Sequence, residues 1–354
     1  MKTIANTKKR LTYLDLLRII SIFFMIGIHV VGITWYTTPV SSFSWQVMNI
    51  YDSIFRICVP IFVMISGSLF LDQNKNITIN KLFTKNILRI FIALLFWSLI
   101  YGIFHCIILS RALTIDTIIL TLKEFVRGHY HLWFIPMLIG LYIITPILRK
   151  LCENKKIEEY FLILGIIFNF GWITIQRLIP YSIHILDGTI FDFNISLILG
   201  YSTYFVLGHY LNTYPISRNK EITSYILGIV GLLFTILGTV IISFQKGEPT
   251  NLYDNMLLNT FLASLAFFIL FKNRISKVNF STKTISNITF ISNLCFGIYL
   301  IHDFFITILT KYEITASLFS PLLSIPLIIL LVFLISFIIT YLISKIPIIH
   351  KYII

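Results

Sequence analysis

Ten apolar stretches, each about 17 to 24 residues long, run through this chain, and each is long enough to cross a hydrocarbon core of about 30 Å. They cover approximately 11–34, 47–71, 87–109, 132–149, 160–175, 195–211, 222–243, 255–271, 289–309 and 321–343. A chain dominated by such stretches has few options, because backbone polar groups in lipid must be satisfied internally and helices achieve this within one segment. Of the 354 residues 57% are hydrophobic and 12% charged, against about a quarter charged in soluble domains. The expectation is an all-α, polytopic integral membrane protein of about ten transmembrane helices, forming one membrane domain over 1–354. An even number of spans puts both termini on one side.

The basic residues say which side. Counting span flanks, twenty of the 28 Lys and Arg residues fall in the N-terminal tail, in the loops after spans 2, 4, 6 and 8, and in the C-terminal tail. Six fall on the opposite side, at Arg111, Lys123, Arg127, Arg177, Lys246 and Lys311. The positive-inside rule makes both termini cytoplasmic. The net charge of +13 follows from the same asymmetry, since basic loops meet anionic lipid headgroups of the bilayer. The dispersed basic residues form no nucleic-acid-binding face. Cys58, Cys106, Cys152 and Cys295 have neither disulfide-framework nor zinc spacing and read as packing residues. Lys8, Lys9 and Arg10 resemble the start of a signal peptide, but no small-x-small cleavage site follows, so the first apolar stretch is kept as a span. The loops at 110–131 and 176–194 are expected to lie outside. Richness in Ile, Lys and Asn suggests a low-GC bacterium and its cytoplasmic membrane.

The first span, "LDLLRIISIFFMIGIHV" (14–30), carries Asp15, Arg18 and His29. Arg18 and His29 are eleven residues apart, which is three helical turns plus about 20°, so they share one face about 16 Å apart. Arg18 falls in the inner leaflet and His29 towards the outer surface. An Asp15–Arg18 pair at (i, i+3) with a snorkelling guanidinium is one reading. A functional pathway is the other, and is the default for ionisable residues inside spans.

Arginine, ten residues, then histidine in a first span resembles the signature of the family 3 membrane acyltransferases. Four further fragments are similar to that family's pattern, in order. They are "VPIFVMISGSLF" (59–70), "HLWFIPMLIGLYIITPIL" (131–148), "YFVLGHYL" (204–211) and "LCFGIYLIH" (294–302). Val63 and Cys295 depart from it, standing where an aromatic residue and a serine are usual.

The resemblance implies transfer of an acyl group, most often acetyl or succinyl, from cytoplasmic acyl-CoA to a hydroxyl of a cell-surface or lipid-linked glycan. No permanently bound cofactor is implied; acyl-CoA, acetyl-CoA first, is a donor substrate. His29 then reads as the general base, and Arg18 as the cation that holds the donor. In the family these activities are in some members completed by an extracytoplasmic esterase-like domain. Since the sequence stops at Ile354, the expectation is that the chain acts alone or with a separate extracytoplasmic transferase.

Other polar residues carry two readings each. Asp52 and Arg56 form an (i, i+4) pair that is either structural or part of a tunnel lining. Ser66 and Gly67 either permit close helix approach or admit the acyl-pantetheine arm. Arg89 is a positive-inside anchor or a phosphate contact. His129, His131 and Trp133 stand at the outer mouth of span 4; His-x-His alone is a weak metal signal and no metal is expected. The resemblance favours His131 and Trp133 as acceptor-side wall. Tyr299 and His302 share a face of span 9, with His302 either a site residue or a buried histidine satisfied by Asp303 or a neighbouring helix. His105, His184, His209 and His350 suggest no role. No nucleophile elbow, phosphate loop or His-Glu-x-x-His motif occurs, so direct attack by the acceptor is the simpler mechanism, with acyl-histidine chemistry the alternative. A transporter or flippase for a polysaccharide or amino acid is the rival from another class, since midplane charges suit it as well.

Overall fold

The computed structural model describes residues 11–105, 114–178 and 196–347. Lys8, Lys9, Arg10, Cys106, Arg111, His184 and His350 lie outside the described residues, as does most of 176–194. Among the described residues the chain is helical, with no strand. Its helices are α1 (Thr12–Gly32), α2 (Phe43–Phe55), α3 (Cys58–Phe70), α4 (Ile79–Lys81), α5 (Leu88–His105), α6 (Ile115–Arg127) and α7 (Phe134–Leu151). They continue with α8 (Lys155–Leu164), α9 (Trp172–Leu178), α10 (Ser196–Thr213), α11 (Arg218–Lys246), α12 (Leu258–Asn273), α13 (Thr282–Lys311) and α14 (Pro321–Ser344). Nine helices or stacked helix runs among the described residues are long and apolar enough to cross a membrane. The remaining stretch expected from the sequence, the sixth, corresponds to α10, which is too polar to count with them because it carries His209 and Asn212 among several Tyr, Ser and Thr residues. The protein is a multi-pass membrane protein.

Three departures from straight spans bear on function. The second span is two helices, broken at Arg56 and Ile57. Pro60 explains the position, since it has no N–H to donate to the carbonyl of Arg56. The third span begins earlier than expected and continues from α4 through a π-helical segment, Leu82–Ile87, into α5. Residues 115–127, expected in an external loop, form α6. Its apolar residues Ile115, Ile118, Ile119, Leu122 and Val126 recur at helical spacing but are interleaved with Asp116, Lys123, Glu124 and Arg127, which hides the segment from a search for continuous apolar runs. Gly128, at φ 72°, then turns the chain into a 3₁₀ turn, Tyr130–Trp133, that leads to α7.

The bundle is centred on α1, which packs against α2, α3, α13 and α14. The closest crossing is between α3 and α10. A Cβ on Gly67 would lie 1.7 Å from the carbonyl oxygen of Phe205, and one on Gly208 would lie 2.0 Å from that of Met64. Ser68 Oγ reinforces the crossing by donating to the Gly208 carbonyl at 2.7 Å. With backbone on both sides, neither neighbour can rotate away. Gly67→Ala is therefore expected to lower stability by at least about 1–3 kcal/mol. Gly140→Ala, whose Cβ would meet nothing within 4 Å, should leave it unchanged. Size-exclusion of detergent-solubilised protein after a temperature ramp separates the two; equal midpoints would contradict the crossing.

Candidate functional site

Two cavities meet inside the bundle. The larger, about 1030 Å³, is lined by Thr84, Lys85, Asn86 and Arg89 at the end where α1 begins. It passes Arg18, Ser66, Tyr142 and Ser292, and reaches His29, His131, Trp133 and Tyr299. Arg18 and His29 both line it, so it extends over at least the three turns of α1 between them. The smaller, about 300 Å³, is lined by Gly32, Trp35, Tyr36, Asp52, Asn251, Tyr253 and Asp254. Arg56 and Asn255 line both, which puts the break in the second span at the junction.

Arg18 is held from two helices. Its Nη1 donates to Asp15 Oδ1 at 3.3 Å and to Ser292 Oγ of α13 at 2.8 Å, while Ser292 Oγ donates to Asp15 Oδ1 at 2.7 Å. The Arg56 guanidinium donates to both oxygens of Asp52, from Nε at 3.2 Å and Nη2 at 2.8 Å, and lies 4.1 Å from the centroid of the Tyr253 ring. The two pairs follow one plan. The carboxylates are enclosed, with side-chain exposures of 4% and 1%, while the arginines retain 24% and 30% and face cavity space. Each is thus an ion pair whose cation lines the cavity. Tyr253, outside the spans, has its hydroxyl pushed above the usual tyrosine value by burial and by the Asp52 carboxylate, so it remains a hydrogen-bond donor at the junction.

The outer end is a cluster of imidazoles. The His29 ring lies 5.1 Å from His302, 5.3 Å from Tyr130 and 6.2 Å from His131, centroid to centroid. His29 is half-buried on the cavity wall. His131 is buried; its Nδ1 shares a hydrogen bond with His129 Nδ1 at 2.8 Å, and its Nε2 is enclosed without a partner. His302 is fully buried and lines neither cavity. Its Nδ1 bonds the carbonyl of Tyr299 at 2.7 Å, within its own helix, and its Nε2 is likewise unpartnered. Asp303 turns away from His302 to accept from Tyr130 Oη at 2.5 Å, with His129 Nε2 at 3.5 Å. Tyr299 Oη donates to the carbonyl of His131 at 2.8 Å, joining α13 to the 3₁₀ turn.

Of the ten residues singled out from sequence, eight line the larger cavity: His29, Arg18, Arg56, Ser66, Arg89, His131, Trp133 and Tyr299. Asp15 and His302 stand directly behind it, against Arg18 and His29. Ser66 and Gly67 divide their two readings, Ser66 on the cavity and Gly67 in the helix crossing. Sequence reasoning missed Lys85 and Asn86, hidden among residues read as topology signals, and Tyr253 and Asn255, which sit in a loop with no motif. Tyr101 was also passed over, and His129 was weighed only as part of a weak metal signal. Tyr101 stacks on His129 at 4.3 Å and on Phe304 at 4.0 Å, and its hydroxyl bonds the Leu300 carbonyl. Among the described residues, two groups of side chains have donor atoms close enough to hold a metal ion, His129–His131–Asp303 and Cys152–Glu158–His209. In the first, Tyr130 donates to Asp303 and the two histidines share a hydrogen bond; in the second, His209 bonds Glu158.

A long cavity thus runs through the helical bundle from a basic mouth to a histidine cluster. Residues 11–343 match the acyltransferase family 3 model, described as an acyltransferase domain, and the chain belongs to that family. Comparison with curated proteins and with solved structures returned no match. The protein is a membrane acyltransferase.

The Tyr130–Asp303 bond gives a test of the outer cluster. Tyr130→Phe removes the hydroxyl partner of a buried carboxylate and is expected to cost about 1–3 kcal/mol. Adding Asp303→Leu should recover part of that loss, because replacing both partners removes the stranded charge. Thermal unfolding in one detergent reads both; an unaffected Tyr130→Phe midpoint would rule the bond out as a structural tie.

Proposed function

We propose that the protein O-acylates a carbohydrate, using acyl-CoA, acetyl-CoA first, as donor and a hydroxyl of a cell-surface or lipid-linked glycan as acceptor, with His29 as general base. The observation that carries this reading is the continuity of the 1030 Å³ cavity from Lys85 and Arg89 to His29. A phosphorylated donor suits the basic mouth, where a guanidinium can engage phosphate oxygens in fixed geometry. The thin pantetheine arm suits the passage by Arg18 and Ser66, and brings the thioester towards His29. The smaller cavity supports a sugar acceptor. Its wall combines Trp35, Tyr36 and Tyr253 with Asp52, Asn251 and Asp254, apolar ring faces beside hydrogen-bonding groups that match a sugar's C–H faces and hydroxyls.

In the reaction the acceptor oxygen attacks the thioester carbonyl carbon. The new C–O bond forms as the C–S bond breaks. The hydroxyl proton passes to His29 and then to the departing thiolate. His302, His131 and Tyr130 hold the His29 ring in place by contact. Composition and the basic loops support placement in the cytoplasmic membrane of a bacterium, with the basic mouth facing the cytoplasm.

The test uses purified protein in nanodiscs, with acetyl-CoA and a cell-envelope glycan extract, followed by thiol release. Release should depend on the extract, and His29→Ala should lower it by about 10² to 10⁴ while leaving donor binding intact. If no donor among acetyl-, succinyl- and longer acyl-CoA binds or releases thiol, the assignment of donor and base fails.

A further inference from the structure

At the basic end of the bundle, away from both cavities, Cys152, Glu158 and His209 bring their donor atoms within 4.8 Å of one another. All three are buried, at 3%, 0% and 2% exposure. Cys152 follows the last turn of α7, Glu158 lies in the first turn of α8, and His209 comes from α10 more than fifty residues later. Asn154 caps α8 by accepting from the backbone N–H groups of Lys156 and Ile157, which fixes the turn carrying Cys152 and Glu158. His209 Nδ1 is 2.8 Å from Glu158 Oε1, and Glu158 Oε2 is enclosed with no hydrogen-bond partner. None of the three lines either cavity.

We propose that these residues bind a divalent transition metal, zinc by preference. A thiol, an imidazole and a carboxylate are a zinc donor set, and the thiolate selects against magnesium and calcium. Charge strengthens the assignment. A fully enclosed carboxylate is costly unless neutralised; thiolate and carboxylate together carry two negative charges, which one Zn²⁺ cancels with a neutral histidine. Glu158 Oε2, the oxygen that His209 does not engage, supplies the carboxylate ligand beside the Cys152 thiol. Neutrality distinguishes this site from His129–His131–Asp303, where the same ion would leave a net positive charge inside the bundle. The metal fastens the α7–α8 turn to α10 beside Gly208, the residue at the crossing with α3. Three protein donors leave a fourth position for water. The site is independent of the donor and acceptor assigned above.

Full-length protein, purified in detergent without chelator from zinc-supplemented cells, is analysed by elemental mass spectrometry. About one zinc per chain is expected. Cys152→Ser, Glu158→Gln and His209→Asn should each lose it, while His131→Asn keeps it. Chelator-stripped wild type, titrated with Co²⁺, should develop the thiolate-to-cobalt charge-transfer band and the visible bands of a tetrahedral site. That readout needs no variant to fold. Zinc removal should lower the thermal midpoint of wild type and leave Cys152→Ser unmoved. Absence of both zinc and cobalt bands in wild type overturns the proposal, as does metal that survives in Cys152→Ser or is lost in His131→Asn.

Discussion

A charge drawn into a membrane bundle must bring its counter-charge with it, and two such pairs organise this protein. Asp15 with Arg18, and Asp52 with Arg56, each put the acid on the enclosed side and leave the guanidinium facing cavity space. The arrangement is more than neutralisation. An unpaired arginine would snorkel to the interface; one tied to a buried aspartate is held at a chosen depth. Ser292 of α13 completes the inner pair by bonding both partners, so α1 and α13 are joined where the cavity passes between them. Tyr253 completes the outer pair by lying against the Arg56 guanidinium.

Irregular backbone follows the same cavity. Non-helical segments at membrane depth are tolerated where they are enclosed by protein or line a polar space. The break at Arg56 lies at the junction of the two cavities, the π-helical segment 82–87 supplies Thr84, Lys85 and Asn86 to the basic mouth, and the 3₁₀ turn 130–133 supplies His131 and Trp133 to the outer end. Each departs from the α-helix where a side chain is required that a straight helix would aim elsewhere. A second π-helical segment, Gly165–Gly171, packs against α10 and lines neither cavity.

Much of this was legible in the sequence because bilayer thickness turns hydropathy into helices, and because Arg18 and His29 share a face by arithmetic alone. The polar residues of α1, α3 and α13 were likewise visible as rare exceptions in apolar runs. What could not be read was partnership. Asp303 stands next to His302 in the chain, but residues adjacent in a helix point about 100° apart, and its carboxylate meets Tyr130 and His129 from another element. Cys152 read as a packing residue and His209 suggested no role for the same reason, since the contact joining them spans more than fifty residues. Tyr253 and Asn255 fall in a loop, where no periodicity marks which side chain turns inward. The helix α6 was masked by its own amphipathicity.

The two walls of the larger cavity differ in how they are built. On one side α3 is locked to α10 by Gly67, Gly208 and the Ser68 hydrogen bond. The far end of α10 is tied in turn by His209 to Glu158, by Tyr13 Oη to Asn212 at 2.5 Å, and by Lys272 Nζ to the carbonyls of Leu211 and Tyr214. Ser66 is one residue from Gly67 and so projects about 100° away, onto the cavity. The position of that wall is therefore set by backbone contact, which cannot relax by rotamer change. On the other side, the mouth is formed by a π-helical turn whose Phe83 is exposed while Thr84, Lys85 and Asn86 line the cavity. The donor proposed above would therefore lie along a wall that the backbone contact between α3 and α10 holds in place.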